Sequence, residues 1–287
     1  FLTLGDNVYI DHPSRPAVQQ YSYYRRQSSP FYRIFSSEVP FYAIWDDHDF
    51  GTNDSWGGPE TFEPAWKVRV WEIFKQNWNN PSYGGGEEQP GVWFDYYIGD
   101  VHFIMLDGRY YRTDPKAEDA SLLGPAQIEW LQKTLKNSRG TFKVLASPVP
   151  WASGAKGGTQ MTPQGRQPGG LDTWDGFPEE RTAIYDFLHE NKIEGVVLIS
   201  ADRHRSDLWK IDRDNGYPLY EFESSRLTNI HVHSIMEGSI FGYNEKQSFG
   251  TIEFNTTLEN PAVTYRIYSI DNEFIHEFTV SKDDLSY

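Results

Sequence analysis

The stretch Pro40-Phe-Tyr-Ala-Ile-Trp-Asp-Asp-His-Asp49 changes character abruptly, because a short apolar run ends in four consecutive ionisable residues. The apolar run predicts a buried strand. Residues 1–4, followed by Gly5-Asp-Asn-Val-Tyr9, share this pattern, and so do residues 196–199, followed by Ser200-Ala-Asp-Arg-His204. Ligand sites in α/β sheets form beyond the carboxyl ends of strands. If the three strands lie in one sheet, we expect their loops to meet.

The rest of the chain predicts a mixed α/β architecture. Helical spacing or helix-start signals indicate helices over about residues 15–37, 63–79, 125–138 and 178–191. Short apolar runs indicate strands over residues 92–98, 101–106, 142–146 and 195–200, and alternation indicates antiparallel strands over 251–254, 263–270 and 274–280. Residues 151–177 have no clear period, which in a compact domain is typical of a functional or mobile loop. The pattern predicts one α/β domain over residues 1-287, with mixed sheets and a β-rich C-terminal end.

Composition excludes several classes of protein. The chain has 287 residues, a formal net charge of −15 and no cysteine. A disulfide framework, a cysteine zinc site and a thiol nucleophile are therefore excluded within this stretch. The acidic balance argues against duplex nucleic acid as a partner. Apolar runs such as residues 196–199 are far shorter than the roughly 18 residues that a membrane span requires.

Six side chains in the three loops have the chemistry of a metal site: Asp6, Tyr9, Asp47, His48, Asp202 and His204. Carboxylate and phenolate oxygens mixed with imidazole suit Fe, Mn, Ca or Zn. Clustered acids raise one another's pKa unless positive charge compensates them. Two metal ions would do so, and they would also clamp the oxygens of a phosphoryl displacement and generate hydroxide near neutral pH. Taken separately, Gly5-Asp-Asn7 is also typical of a plain turn, and residues 46–49 of an exposed loop.

The ordered set of motifs resembles the PhoD-like branch of the metallophosphatases, within the calcineurin-like superfamily. The similar segments are Leu4-Gly-Asp-Asn-Val-Tyr-Ile-Asp11, Trp45-Asp-Asp-His-Asp-Phe-Gly51, Leu106-Asp-Gly-Arg-Tyr-Tyr-Arg112, Gly124-Pro-Ala-Gln-Ile-Glu-Trp-Leu131, Trp174-Asp-Gly-Phe-Pro178, Ser200-Ala-Asp-Arg-His204 and Phe249-Gly-Thr-Ile-Glu253. The resemblance implies an αββα sandwich and an alkaline phosphatase or phosphodiesterase. In such an enzyme a metal-bound hydroxide attacks the phosphorus of a small phosphoester.

The resemblance also implies a metal ligand set. Asp6 matches a carboxylate that bridges two metal ions, and Tyr9 matches a phenolate ligand of the iron-like ion. Asp47 stands where the superfamily usually has a ligand Asn, and Asp202 and His204 match the last ligand pair. The implied ions are two or more, Fe3+ with Ca2+, and Mn2+ or Zn2+ are alternatives.

Three further residues receive catalytic roles. By the resemblance, His48 contacts substrate or protonates the leaving group, and Asp49 orients His48. Arg109, with Arg112, follows a buried strand, and its fork geometry suits phosphate oxygens. An ion pair with the acidic clusters is the alternative for Arg109.

Departures from the family pattern suggest a second hypothesis, in which the protein is not an active enzyme. The superfamily's first motif, a Cys or Asp-x-His ligand on an earlier strand, is expected upstream of Phe1, and the chain lacks it. Ser147-Pro148 stands where the superfamily has a histidine. The alternative is a catalytically inactive, phosphatase-like surface binding or structural domain, which the aromatic abundance also suits. The resemblance further implies a secreted, periplasmic or cell-surface protein.

Two other groups have a structural interpretation as their first explanation. His231 and His233 would share one face of a strand, where a polar face is favoured over a metal role. Trp151, Trp174 and Phe177 could form an aromatic wall for substrate, but packing is the commoner fate of such side chains.

Overall fold

The computed structural model describes residues 1–162 and 165–287; Pro163 and Gln164, within the aperiodic stretch 151–177, lie outside it. The helices in these ranges are α1 Pro16–Gln27, α2 Pro30–Glu38, α3 Asp47–Phe50, α4 Trp66–Asn77, α5 Pro125–Lys136 and α6 Pro178–Glu190. The strands are β1 Leu2–Leu4, β2 Tyr42–Ile44, β3 Phe94–Ile98, β4 Val101–Met105, β5 Phe142–Ala146, β6 Thr159–Thr162, β7 Gly165–Pro168, β8 Val196–Ser200, β9 Ser206–Ile211, β10 Leu219–Ser224, β11 Phe241–Tyr243, β12 Ser248–Asn255, β13 Ala262–Ser269 and β14 Phe274–Ser281. None of the helices in the described ranges has the length and apolar content to cross a bilayer.

The central sheet has seven strands in the order β11-β9-β10-β8-β5-β4-β3. Strands β4, β5 and β8 are parallel neighbours, and β10 is parallel to β8, whereas the β3–β4 and β9–β10 pairs are antiparallel. Every residue of β8 is buried, which is typical of a strand covered on both faces. The predicted mixed sheet is confirmed, and β8 ends at the third predicted loop.

The chain's β-rich end forms a three-stranded antiparallel sheet, β12-β13-β14, as predicted. Buried and half-buried residues alternate along β13, and its Val263, Tyr265 and Ile267 belong to the main core. Tyr265 stacks on Phe222 of β10 with ring centroids 4.9 Å apart. The C-terminal sheet therefore packs face to face on the central sheet, and the buried apolar residues of α5 and α6 belong to the same core.

Strands β1 and β2 form a separate parallel pair. The other edge of β2 is paired by a side chain: Asn80 Oδ1 accepts from Ala43 N at 3.0 Å, and Asn80 Nδ2 donates to Ala43 O at 2.8 Å. The expectation that one sheet carries all three polar loops is wrong, because Asn80 takes the place of a further strand beside β2. The loops meet across two sheets instead.

Two other expectations differ in detail. Residues 15–37 form two helices instead of one, because Pro30 begins α2 and holds the preceding Ser29 in an extended conformation at φ −56° and ψ 131°. His231 and His233 lie in an irregular segment between β10 and β11, not on a strand.

Candidate metal centre

The three polar loops meet at one place, as the sequence predicts. Tyr9 Oη, in the loop after β1, lies 3.2 Å from His204 Nε2, in the loop after β8. The loop after β1 also approaches the end of β2 closely at Gly5, where an added Cβ would lie 2.3 Å from the Cβ of Asp46. Gly5 has φ +118°, so only glycine fits both the backbone angle and the space.

Three of the predicted ligands have left-handed backbone angles: Asp6 at φ 49°, Asp202 at φ 73° and His204 at φ 50°. Such conformations are uncommon outside glycine, although Asp and His tolerate them better than most residues. Each costs free energy and is retained where the surrounding structure requires it, which happens often at ligand sites. Left-handed backbone angles thus occur at three of the residues that the motifs predict as metal ligands.

Asp6 and Tyr9 form the first half of the centre. Tyr9 Oη donates to Asp6 Oδ2 at 2.9 Å, and Asn229 Nδ2 donates to Tyr9 Oη at 2.8 Å. The other oxygen, Asp6 Oδ1, is buried without a hydrogen-bond partner among the described residues. Burial, followed by the carboxylates of Asp47 and other acids, raises the pKa of Asp6 well above its ordinary value. Burial likewise raises the pKa of the Tyr9 phenol.

Asp47 is buried beside Asp6 at the start of α3. Its carboxylate accepts hydrogen bonds from the backbone N–H of His48 at 3.0 Å and of Asp54 at 2.5 Å. One ligand atom from each of Asp6, Asp47 and His48 lies within 4.8 Å of the others. The structure therefore brings two predicted metal ligands and the predicted catalytic histidine together.

His48 is held by Asp11, which the sequence did not assign to the site. Asp11 Oδ1 lies 2.7 Å from His48 Nδ1, and the His48 ring packs on that of Tyr9 with centroids 4.3 Å apart. Burial lowers the pKa of His48, but Asp47 and Asp11 raise it more, so its pKa lies above the ordinary value. His48 thus presents Nε2 as the free end of its ring.

Asp49 was predicted to orient His48, and the structure gives that contact to Asp11. Burial raises the pKa of Asp49 to about 6. Its carboxylate instead accepts hydrogen bonds from the backbone N–H groups of Asn7, Val8 and Asp46, each at 3.1 Å. Asp49 therefore fastens the loop after β1 to the loop after β2, because the first turn of α3 directs its side chain toward that loop.

Arg109 lies fully buried beneath the centre. Its guanidinium donates to Asp46 Oδ1 at 2.6 Å, to Asp172 through two nitrogens at 2.7 and 3.2 Å, and to Ser55 O at 3.2 Å. Arg109 Nη2 lies 4.0 Å from Asp47 Oδ1. Of the two interpretations of Arg109, these contacts match the ion pair, and contact with phosphate stays a prediction.

Lys156 is a buried cation that the sequence did not identify. Its Nζ lies 2.7 Å from Asp172, 3.1 Å from Asp202 and 3.4 Å from Asp54. Burial opposes ionisation of Asp202, but Lys156 and Arg203 hold the pKa of this carboxyl below its ordinary value. Burial and the neighbouring Asp172 raise the pKa of Asp54 to about 7. The protein itself thus compensates part of the acidic charge that the sequence analysis assigned to metal ions.

The centre keeps a negative formal charge after its own cations are counted, which favours the binding of metal ions. Seven carboxylates, here called the carboxylate cluster, face four cations, which leaves a formal charge of −3. The cluster comprises Asp6, Asp46, Asp47, Asp49, Asp54, Asp172 and Asp202; the cations are Arg109, Arg112, Lys156 and Arg203. Asp6 Oδ1 has no hydrogen-bond partner among the described residues, and one carboxylate oxygen of Asp47 lies within 4.8 Å of ligand atoms of Asp54 and Asp172. Oxygen donors with a phenol and an imidazole are a suitable set for hard or borderline metal ions.

His204 lies beside His231 and His233, which the sequence analysis interpreted as part of a polar strand face. Its ring centroid lies 5.5 Å from that of His231 and 5.1 Å from that of His233. One ligand atom from each of the three rings lies within 4.8 Å of the others. Burial lowers the pKa of His204 to about 4 and that of His233 to about 3.

Some residues of the site could hardly be identified from the sequence. Asp11 falls inside the first quoted motif, so a charged residue two positions after Tyr9 could have suggested it. Lys156 and Asp172 come from the aperiodic stretch 151–177, whose length alone indicated a functional or mobile loop. Trp151 and Trp174, from the same stretch, are fully buried and stack at 4.1 Å, which confirms the packing interpretation.

Comparisons with known proteins identify the family and the fold of the chain. A family model described as PhoD-like phosphatase matches residues 1–279. Alkaline phosphatase D of Bacillus subtilis (strain 168) is 26% identical over 187 residues, which cover 58% of this chain and 31% of that protein. A solved structure of PhoD superposes with a TM-score of 0.71 at 18% identity, covering 99% of this chain and 63% of that one. The chain thus spans less than two thirds of the length of both relatives, and the structural likeness shows a shared fold. On the family match, the chain belongs to the PhoD-like phosphatase family.

Proposed function

We propose that the protein is a metal-dependent hydrolase of small phosphoesters. The observation that carries this proposal is the convergence of Asp6, Tyr9, Asp47, Asp202 and His204 at one place. Membership of the PhoD-like phosphatase family supports it, as does the similarity to a protein named alkaline phosphatase D. Ions of the Fe3+ and Ca2+ kind, with Mn2+ or Zn2+ as alternatives, suit this donor set.

Metal ions bound here would supply Lewis-acid stabilisation of phosphoryl oxygens and lower the pKa of water. The carboxylates of Asp6, Asp47 and Asp202, the phenol of Tyr9 and the imidazole of His204 would hold them. The protein fixes these side chains in advance, because Gly5 and Asp49 bring the first two loops together and Lys156 fixes Asp202. Rigid positioning of this kind is what a phosphoryl transfer site requires.

His48 is placed to give a proton to the leaving group. Its Nδ1 is engaged by Asp11, and that carboxylate stabilises the charged imidazolium. The proton on Nε2 is then available to an alkoxide oxygen as the ester bond breaks. Arg109 holds Asp46 and Asp172 and thereby the start of α3, and contact of its guanidinium with a phosphate oxygen stays a prediction.

The test is hydrolysis of p-nitrophenyl phosphate and bis(p-nitrophenyl) phosphate by the full chain loaded with metal. Asp47→Ala and Asp202→Ala should each lower the rate by more than about 100-fold, because even residues behind metal ligands change metal affinity by roughly 10–100-fold. Asp212→Ala, at an exposed carboxylate paired with Lys210, is the matched control and should keep the rate.

Full activity in both variants would contradict the proposal. Inactivity of the metal-loaded wild-type chain toward both esters would instead favour the inactive surface domain. Secretion or a periplasmic or cell-surface location is a separate proposal from the family resemblance, and cell fractionation tests it.

A further inference from the structure

The segment from Asn229 to His233 lies against the candidate centre without being part of any predicted motif. Asn229 Nδ2 lies 2.8 Å from Tyr9 Oη and 3.4 Å from His204 Nε2. The same side chain accepts a hydrogen bond from His231 N at 2.8 Å, and Asn244 Nδ2 donates to His233 O at 2.9 Å. The backbone that carries both histidines is therefore fixed on each side.

The three imidazoles converge instead of stacking. The ring planes of His204 and His231 are inclined by 85°, those of His231 and His233 by 80°, and those of His204 and His233 by 39°. Ring centroids are 4.7 to 5.5 Å apart, and one nitrogen from each ring falls within a 4.8 Å group. Two nitrogens bound to one zinc ion are at most about 4.2 Å apart, so a common ion requires side-chain rotations that bring the three nitrogens closer together.

Two further observations favour a cation at this place. His204 Nδ1 is buried and has no hydrogen-bond partner in residues 1–162 and 165–287. The nearby guanidinium of Arg203, which would repel a cation, lies 3.2 Å from the carboxylate of Asp202, which offsets part of that repulsion. An unpartnered buried nitrogen costs free energy that a bound ion would recover.

We propose that His204, His231 and His233 form a tris-imidazole site for a divalent transition-metal ion of the zinc class. Three imidazoles are a well-known zinc ligand set, and three protein ligands leave a fourth tetrahedral position open to an outside oxygen ligand. The site shares His204 with the proposed hydrolytic centre and lies at its rim, and because a neutral imidazole binds a single ion, the two sites compete for this side chain. It differs from that centre in chemistry, because its ligands are nitrogens without a carboxylate.

Zinc binding tests this proposal apart from hydrolysis. The full chain carrying Asp6→Asn and Asp47→Asn, which weakens the carboxylate side, is titrated with Zn2+ against a chromophoric chelator. We expect one tightly bound zinc ion per chain. Adding His231→Asn and His233→Asn should weaken that ion by more than about 100-fold, because two of three ligands are lost. His12→Asn, the same change at an exposed histidine, is the control and should leave the affinity unchanged.

Two results would overturn the site. One is the absence of a tightly bound zinc ion in the Asp6→Asn, Asp47→Asn chain whose circular dichroism matches the wild type. The other is zinc affinity that survives loss of His231 and His233. His231→Asn and His233→Asn are also tested one at a time, in case the combined variant misfolds. Each alone should lower the affinity for zinc by at least about tenfold. The outcome does not depend on phosphoester hydrolysis, because no substrate enters the measurement.

Discussion

At the scale of single residues, Lys156 is the side chain on which the charge balance of the centre depends most directly. It contacts Asp172, Asp202 and Asp54 within 3.4 Å, and it is almost completely buried. A buried charge network is stable only while every member keeps its partners. Lys156 thus supplies a fixed positive charge to the centre from the long loop that precedes α6.

Replacing Lys156 by methionine should therefore destabilise the metal-free protein by about 3–5 kcal/mol, the typical cost of removing one partner from a buried ion pair. Added Ca2+ or Mn2+ should recover more of this loss than it adds to the wild type, because the freed carboxylates attract cations. Guanidinium unfolding with and without metal measures both effects. Lys210→Met, at an exposed ion pair, is the control and should leave the unfolding free energy essentially unchanged. An unchanged unfolding free energy in Lys156→Met would contradict this role.

Single residues were predictable where a motif ends a strand. Asp6, Asp47 and His204 follow apolar runs within a few residues, so their loops could be predicted to meet, although they meet across two sheets and not beyond one. Lys156 and Asp11 were not predictable in this way, since their positions depend on how irregular loops fold back. Asp49 was predicted to orient His48, but it accepts hydrogen bonds from backbone N–H groups instead, because helix geometry at α3 decides the direction of its side chain.

At the scale of elements, Asn80 supports the strand that carries the second loop. Its amide pairs with both backbone groups of Ala43 and so completes the outer edge of β2. Residues 46–49 follow two positions after β2, so any fraying of this strand would displace Asp47.

Asn80→Ala should lower the free energy of unfolding by about 1–3 kcal/mol for each backbone group left unpaired and buried. Hydrogen exchange at the Ala43 N–H should also become faster, because its acceptor is lost. Chemical denaturation and exchange measurements check the two effects. Asn79→Ala, at the exposed neighbouring position, serves as the control. Equal exchange rates in wild type and Asn80→Ala would show that the strand edge does not rely on this side chain.

Elements were predictable from periodicity except where charges are buried. Strands β4, β5, β8 and β13 match their predicted ranges to within one or two residues. Strand β10 was missed because it buries Glu221 and Glu223, which interrupt its apolar pattern. Glu221 is accommodated by hydrogen bonds from the backbone N–H groups of Trp151 at 2.9 Å and Ala152 at 2.8 Å, a tertiary arrangement that no local pattern reveals.

At the scale of the whole molecule, the formal charge of −15 does not describe the electrostatics of the interior. The carboxylate cluster gathers seven acids at one site, and metal ions there would reverse the local sign. A small anionic ester is therefore compatible with an acidic protein, whereas the overall field still disfavours duplex nucleic acid.

Global stability should depend on pH through Lys143, on β5. Burial, with a smaller effect from Lys282, lowers the pKa of Lys143 to about 8. The unfolded chain therefore binds more protons than the folded chain between pH 8 and about 10.5, the ordinary lysine value, and stability gains with pH across that window. Below pH 8 both states are protonated and this contribution is constant.

Lys143→Met should remove this dependence. The melting temperature of wild type minus that of Lys143→Met should increase from pH 8 to about 10.5 and stay constant below. The same difference for Lys133→Met, at an exposed position on α5, should not change with pH. Thermal melts in a pH series measure both, and a flat difference for Lys143→Met would exclude the assigned cause.

The left-handed conformations of Asp6, Asp202 and His204 lower the stability of the fold at residues that the proposed metal site needs. Backbone strain of this kind costs about 1–3 kcal/mol per residue, and glycine would relieve it without disturbing the neighbouring backbone. A laboratory evolution campaign that selects only for heat resistance would therefore be drawn toward glycine at positions 6 and 204, whereas the ion pair with Lys156 opposes that change at Asp202. It would yield a sturdier protein that has lost these ligands, so selection on this scaffold has to score metal retention alongside melting temperature.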